Sequence, residues 1–174
     1  LEHLVEEDKA ATTALGGLTQ GVSVLEMTGA YACIANGGTY YEPSYYTVVY
    51  DHNGNVLLDK REKEGKRVLK ETTSYLLTDM MEDVITSGTG TAAQISGMNV
   101  AGKTGTTSDN VDLTFYGYTP YYTAGIWMGY DTSKEMKNVS GSAHLKIWKH
   151  VMSQTHADLP NKEFTRPDGI VTLS

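Results

Sequence analysis

Gly97-Met98-Asn99-Val100-Ala101-Gly102-Lys103-Thr104-Gly105-Thr106-Thr107 is the stretch whose reading decides the fold, because it satisfies two incompatible patterns. From Gly97 to Thr104 it spells G-x-x-x-x-G-K-T, a loop whose backbone amides and lysine cradle a nucleotide phosphate. Asp131, after the apolar residues 126–130, would then stand ready for magnesium. Such a loop needs a buried strand before Gly97 and a helix opening at Lys103, whose N-terminus completes the anion site. Here a helical pattern and a glycine-threonine turn come before it, and Gly105, two threonines and Ser108-Asp109-Asn110 follow without helical period. The P-loop reading of a nucleotide-binding protein is kept only as an alternative lacking its context. Aspartyl phosphoryl transfer at an Asp-Lys-Thr-Gly-Thr motif fails outright, since Gly102 stands where the nucleophile belongs. Small and β-branched residues from 98 to 107 instead predict a strand.

Working outward, the patterns on either side are those of an α+β protein. Upstream, Ser23 and Glu26 have the spacing of a capping box, and Val24, Met27, Tyr31 and Ile34 mark one apolar helical face that ends at Asn36-Gly37-Gly38. Residues 45–50 and 56–58, separated by an Asn53-Gly54 turn, predict a β-hairpin. The dense mixed charges of 59–70 predict a solvated connector. A second helix is expected over 72–86, with Leu76, Leu77, Met80, Met81, Val84 and Ile85 as its core stripe. Downstream, 115–119 and 122–130 predict two strands around Pro120, so three consecutive strands favour antiparallel pairing. A helix over 144–155 buries Leu145, Trp148 and Met152, and Pro160 and Pro167 suggest a linker from 159 to 174 after a domain of residues 1–158.

Composition removes several classes of function. The 174 residues are 40% hydrophobic and 20% charged, ordinary for a folded module able to shield about 70% of its unfolded surface. Twenty-one acidic against 14 basic residues give −7, the wrong sign for a nucleic-acid partner. No apolar run approaches the roughly 18 to 20 residues of a membrane span, and residues 1–9 hold no signal-peptide core. The single Cys33 makes no internal disulfide and reads as a small core residue. His144, His150 and His156 recur every six residues, which turns neighbours to different helix faces, so neither metal nor cofactor is expected. Glu82-Asp83 and Asp109 with Asp112 are placed on exposed surfaces, without a catalytic part. The paired tyrosines at 40–41, 45–46 and 121–122 are explained by strand preference.

As a strand, Lys103-Thr104-Gly105-Thr106 is the K-T-G signature of serine acyl-transferases that act on penicillins and D-alanyl peptides. Period-two alternation puts Thr104 and Thr106 on one face, where two hydroxyls suit a peptide or β-lactam carboxylate. Gly105 lets the ligand approach the backbone. Lys103 lies on the opposite face and must reach around the strand to lend its charge to the substrate and to the proton relay. The Thr106 amide is placed to donate to a developing oxyanion.

The surrounding blocks resemble the C-terminal half of the transpeptidase domain of class A, bifunctional penicillin-binding proteins. The likeness covers nearly the whole chain and rests on ordered blocks: Ala14 to Ser23, Ile34-Ala35-Asn36-Gly37-Gly38, Thr86 to Ala93, Ala101 to Thr107, Gly117-Tyr118-Thr119-Pro120 and Trp127-Met128-Gly129-Tyr130-Asp131. It implies a β-lactamase/transpeptidase-like antiparallel sheet flanked by helices, here an incomplete domain. It also implies peptidoglycan cross-linking through a serine acyl-enzyme at the extracytoplasmic face of the bacterial membrane, with D-Ala-D-Ala stem peptides as substrates and β-lactams as mimics. Lys103 would be catalytic, and Thr104, Gly105, Thr106 and Thr107 would bind substrate. No serine has lysine three positions later, so the nucleophile is expected outside this chain, in an N-terminal half that would also carry any membrane anchor. A start at Leu1 suggests the same. Ser108-Asp109-Asn110 spells the family's second signature but stands after the lysine motif, in a turn that favours these residues, and is read as a decoy. The family's Asp-x-Trp-Phe is Asp112-Leu113-Thr114-Phe115 here. The isolated chain is expected to be inactive, its uncovered apolar face to need the missing half or another copy, and a binding-only or inert module remains the alternative.

Overall fold

A computed structural model describes residues 4–172. The capping box forms as read: the Glu26 amide donates to Ser23 Oγ at 3.2 Å, and the Ser23 amide to Glu26 Oε2 at 3.0 Å. They start helix α1 (Val24–Ala35), which closes on Gly37 and Gly38 at φ of +61° and +90°. Only Gly29 and Cys33 of α1 are fully buried; of its expected apolar face Met27, Tyr31 and Ile34 are half-buried and Val24 is exposed. Two residues, β1 (Thr39–Tyr40), follow it.

The hairpin forms from β2 (Val48–Tyr50) and β3 (Val56–Asp59), with a bulge beside Tyr50. Its turn is organised by Asp51, whose Oδ1 accepts from the amides of Asn53 and Asn55, both at 2.8 Å, while Gly54 takes φ of +85°. The charged connector is not wholly irregular. Its residues Lys66–Arg67 form β4 and pair with β1, and Arg67 donates to the Gly37 carbonyl and to Glu71.

Helix α2 (Glu71–Thr86) corrects the expected stripe. Its buried positions are Ser74, Thr78, Met81 and Ile85, whereas Leu76 and Met80 are 49% and 57% exposed. The reason is the neighbour it meets: Thr78 Oγ1 bonds the hydroxyl of Tyr118 at 2.7 Å and the Ser74 carbonyl at 2.9 Å, so a polar residue is satisfied inside the core.

The three downstream strands are β5 (Ala101–Thr106), β6 (Asp112–Tyr118) and β7 (Thr123–Gly129), an antiparallel meander in that order. Strand β6 starts three residues before its predicted limit because a short 3₁₀ turn, Ser108–Asn110, reverses the chain at once, with Asp109 and Asn110 at positive φ. Phe115 lies edge-on to Trp148 of helix α3 (Ala143–Thr155), ring centres 5.0 Å apart, within a cluster that includes Ile85, Met98, Val100, Leu145 and Met152. On the other face Tyr116 stacks on Tyr31 of α1 at 5.4 Å, and Ala101 and Tyr118 pack with Met81, Leu77 and Ile34. Helix α2 lies along β5 and feeds both clusters. The result is an antiparallel sheet with helices on both faces, as expected of an α+β protein.

The stretch read as a linker runs over the body. Leu159 joins the Trp148 cluster, Phe164 stands edge-on to Tyr118 at 5.5 Å, the Asn99 amide donates to Asn161 Oδ1, and the Tyr121 hydroxyl donates to the Pro160 carbonyl.

Candidate active site

Lys103 pairs with Tyr116 across β5 and β6, and Thr104 pairs with Phe115. Since Tyr116 faces α1 and Phe115 faces α3, the lysine and the threonine hydroxyls leave opposite faces, as alternation requires. The exposed Lys103 chain folds back along the strand, and its Nζ donates to the Thr104 carbonyl at 2.9 Å. The ammonium therefore returns to the strand's own backbone.

The remaining motif residues divide by what holds them. Thr106 is exposed at the strand end. Thr104 Oγ1 shares a hydrogen bond of 2.7 Å with Thr89 Oγ1, in the turn after α2. Gly105 pairs with Thr114, and a Cβ built at Gly105 would collide with the Thr114 hydroxyl. Gly102 is buried, and a Cβ there would meet Phe115 Cζ at 2.7 Å and the Tyr116 carbonyl at 2.8 Å. Crowding from the β6 backbone thus leaves no room for a side chain at Gly102, whereas at Gly105 the Thr114 hydroxyl alone would have to turn away.

Thr107 is tied to Asp112 by a closed set of bonds. Its amide donates to the Asp112 carbonyl at 3.1 Å, its hydroxyl to Asp112 Oδ2 at 3.1 Å, and the Asp112 amide to Thr107 Oγ1 at 2.8 Å. Trp127 Nε1 then donates to the other carboxylate oxygen at 2.9 Å. Asp112, expected to be an idle turn residue, fixes the end of the motif strand. Thr89, Asp112 and Trp127 were given no part in the site from the sequence because their partners come from register and turn geometry; the signal present was the glycines flanking Thr89 and the Asp112 of the altered Asp-x-Trp-Phe block.

Ser108-Asp109-Asn110 sits at the hairpin tip as a turn. The P-loop alternative is not supported: Lys103 lies inside a strand, with no helix opening there. His150 is exposed on α3, whereas His144 and His156 are buried. His156 Nδ1 donates to the Met152 carbonyl at 2.7 Å, which leaves Nε2 to accept from the Thr119 hydroxyl at 2.7 Å and makes the turn at Pro120 firm. Glu82 is half-buried rather than exposed; burial first, then Asp79, Glu163 and Asp83, push its carboxyl up to about 7.

An antiparallel meander with helices on both faces carries Lys-Thr-Gly on its first strand, β5. The penicillin-binding protein transpeptidase domain model matches residues 5–153, and the chain belongs to this family. Penicillin-binding protein 1A of Clostridium botulinum is 38% identical over 170 residues, 97% of this chain and 20% of the relative. The chain thus spans about a fifth of the length of the curated relatives it matches. Among solved structures, the penicillin-binding protein PonA1 from Mycobacterium tuberculosis has a TM-score of 0.80 at 27% identity, over 91% of this chain and 44% of that one. The D,D-transpeptidase domain of a peptidoglycan glycosyltransferase from Eggerthella lenta has a TM-score of 0.62 at 28% identity, over 78% of this chain and 32% of that one.

Proposed function

We propose that this chain supplies the lysine-bearing wall of a serine D,D-transpeptidase that cross-links peptidoglycan stem peptides and is acylated by β-lactams. The observation that carries the reading is the motif strand itself: Lys103 and Thr106 exposed on β5, with buried Gly102 and half-buried Gly105 set against β6. In this reading a serine outside these residues attacks the D-Ala-D-Ala amide carbonyl. Its proton passes through the relay served by Lys103 to the leaving D-alanine amine, and an acceptor amine then displaces the serine ester. Thr104 and Thr106 hold the terminal carboxylate, Gly105 admits the ligand to the strand, Thr107 anchors the strand end, and the Thr106 amide donates to the oxyanion. A penicillin enters by the same route, but its opened ring leaves the ester in place. Two further features support this reading: no serine here is followed at the third position by lysine, and the matched stretch is only about a fifth of the curated Clostridium botulinum relative.

Substrates and partners follow as part of the proposal: D-Ala-D-Ala peptides and β-lactams in the site, and the serine-bearing part of the domain against the motif strand. The work would be done at the extracytoplasmic face of the membrane. Among the described residues no helix is long and apolar enough to cross a bilayer. We also keep residues 159–174 as the beginning of the connection out of the domain, with 159–167 docked on the body. The test is acylation by a fluorescent penicillin in the longer protein: Lys103→Ala and Thr106→Val should each slow it at least about a hundredfold and tenfold respectively while the fold persists. Unchanged rates in both would contradict the assignment.

A further inference from the structure

The turn after α2 is shaped around one threonine. Ser87 N donates to the Asp83 carbonyl at 3.0 Å, Gly90 N to the Val84 carbonyl at 2.9 Å, and Ala93 N to the Gly90 carbonyl at 2.8 Å, so the backbone folds tightly over the helix end. A Cβ at Gly88 would lie 2.8 Å from Val84 Cα, and one at Gly90 would lie 2.8 Å from Ile85 Cδ1. Neither position has room for a side chain. Between them Thr89 projects onto β5 and meets the Thr104 hydroxyl at 2.7 Å.

We propose that Thr89 is a positioning residue for Thr104, fixing the direction of its hydroxyl toward the carboxylate of the substrate or β-lactam. This rests on the transpeptidase reading above. A carboxylate only accepts, so Thr104 must donate its single proton to it. Thr104 can then only accept from Thr89, which sets the direction of the bond: Thr89 Oγ1–H to Thr104 Oγ1, and Thr104 Oγ1–H to the ligand. A hydroxyl that already accepts one bond is a better donor for the next. Without Thr89, the Thr104 hydroxyl rotates freely and its proton is directed to the ligand only part of the time.

The experiment uses the longer protein with a fluorescent penicillin, and compares Thr89→Val, Thr89→Ser, Thr104→Val and the Thr89→Val/Thr104→Val pair. Thr89→Val should acylate roughly five- to tenfold more slowly, with the loss in the concentration giving half-maximal rate rather than in the limiting rate. Thr89→Ser should stay within about twofold of the parent, and the double variant should be no slower than Thr104→Val alone. Equal rates for Thr89→Val and the parent, additive losses in the double variant, or slow acylation by a folded Thr89→Ser would each overturn the role. If Thr89→Val fails to fold, Thr89→Ala takes its place, with the same roughly five- to tenfold loss expected and a parental rate overturning the role. A parent protein that is not acylated at all removes the transpeptidase reading, and this role with it, whereas an acylated parent with an indifferent Thr89 removes only the role.

Discussion

Asp112 shows how one carboxylate serves two neighbours. One oxygen accepts from Thr107 and the other from Trp127, so the end of β5, the start of β6 and the middle of β7 are joined at one residue. Asp112→Ala should lower unfolding free energy by about 1 to 3 kcal/mol in a urea melt, the usual loss when hydrogen bonds to a charged group disappear. An unchanged midpoint would show the bonds to be idle. Glu82 makes the opposite kind of contribution, since its carboxyl is held up to about 7 from an ordinary 4.5. The folded state binds that proton more tightly, so the contribution is complete below about 4.5 and is lost as pH rises through 7. Glu82→Gln should therefore raise the melting temperature relative to the parent at pH 8, and the gain should shrink toward pH 4.5. His144 acts in the other direction: it is 1% exposed, its ring nitrogens find no partner among the described residues, and burial lowers its pKa below 6.5. Its contribution is present above 6.5 and falls away on acidification, so the two trends are separated only by the Glu82→Gln difference. At this scale Lys103 and Thr106 were legible in the sequence because chemistry names them; Asp112, Glu82 and Thr89 were not, because each owes its state to residues distant in sequence.

Among elements, the meander was readable because β-branched runs and Pro120 punctuate it, and α3 because Leu145, Trp148 and Met152 carry the apolar part of its buried face, beside His144. Helix α2 was expected where it stands, with Met81 and Ile85 buried, but part of its stripe was misread for a physical reason. Apolar residues four apart mark a stripe, but a helix lying along a strand buries whichever side meets that strand, and here the side contains Ser74 and Thr78. Apolar Leu76 and Met80 are left outside. Near the N-terminal end Asp8 is buried and accepts from the amides of Val5 and Thr19 and the Thr19 hydroxyl, which hold its carboxyl below the usual range. Close packing of β5 on β6 gives the sharpest test at this scale. Gly102→Ala should destabilise the sheet by about 1 to 3 kcal/mol, because the added methyl must displace the Phe115 ring or β6 backbone. A neutral Gly102→Ala would show that the strands have slack.

For the whole molecule, the sequence made the family legible through the order of its blocks, while the course of 159–167 was hidden because prolines and polar residues look alike in a linker and in a docked segment. The structure fastens that segment with Leu159, Phe164 and the Asn99–Asn161 bond. The function proposed for the molecule is a division of labour, in which these residues bring the lysine and the carboxylate-binding strand and the serine comes from elsewhere. The site of acylation tests this most directly. Treat the isolated chain and the longer protein with a penicillin, measure intact mass and map the modified peptide. The isolated chain should gain no mass, and the longer protein should carry one adduct on a serine outside these 174 residues. A stable adduct on any serine within the chain would contradict the account.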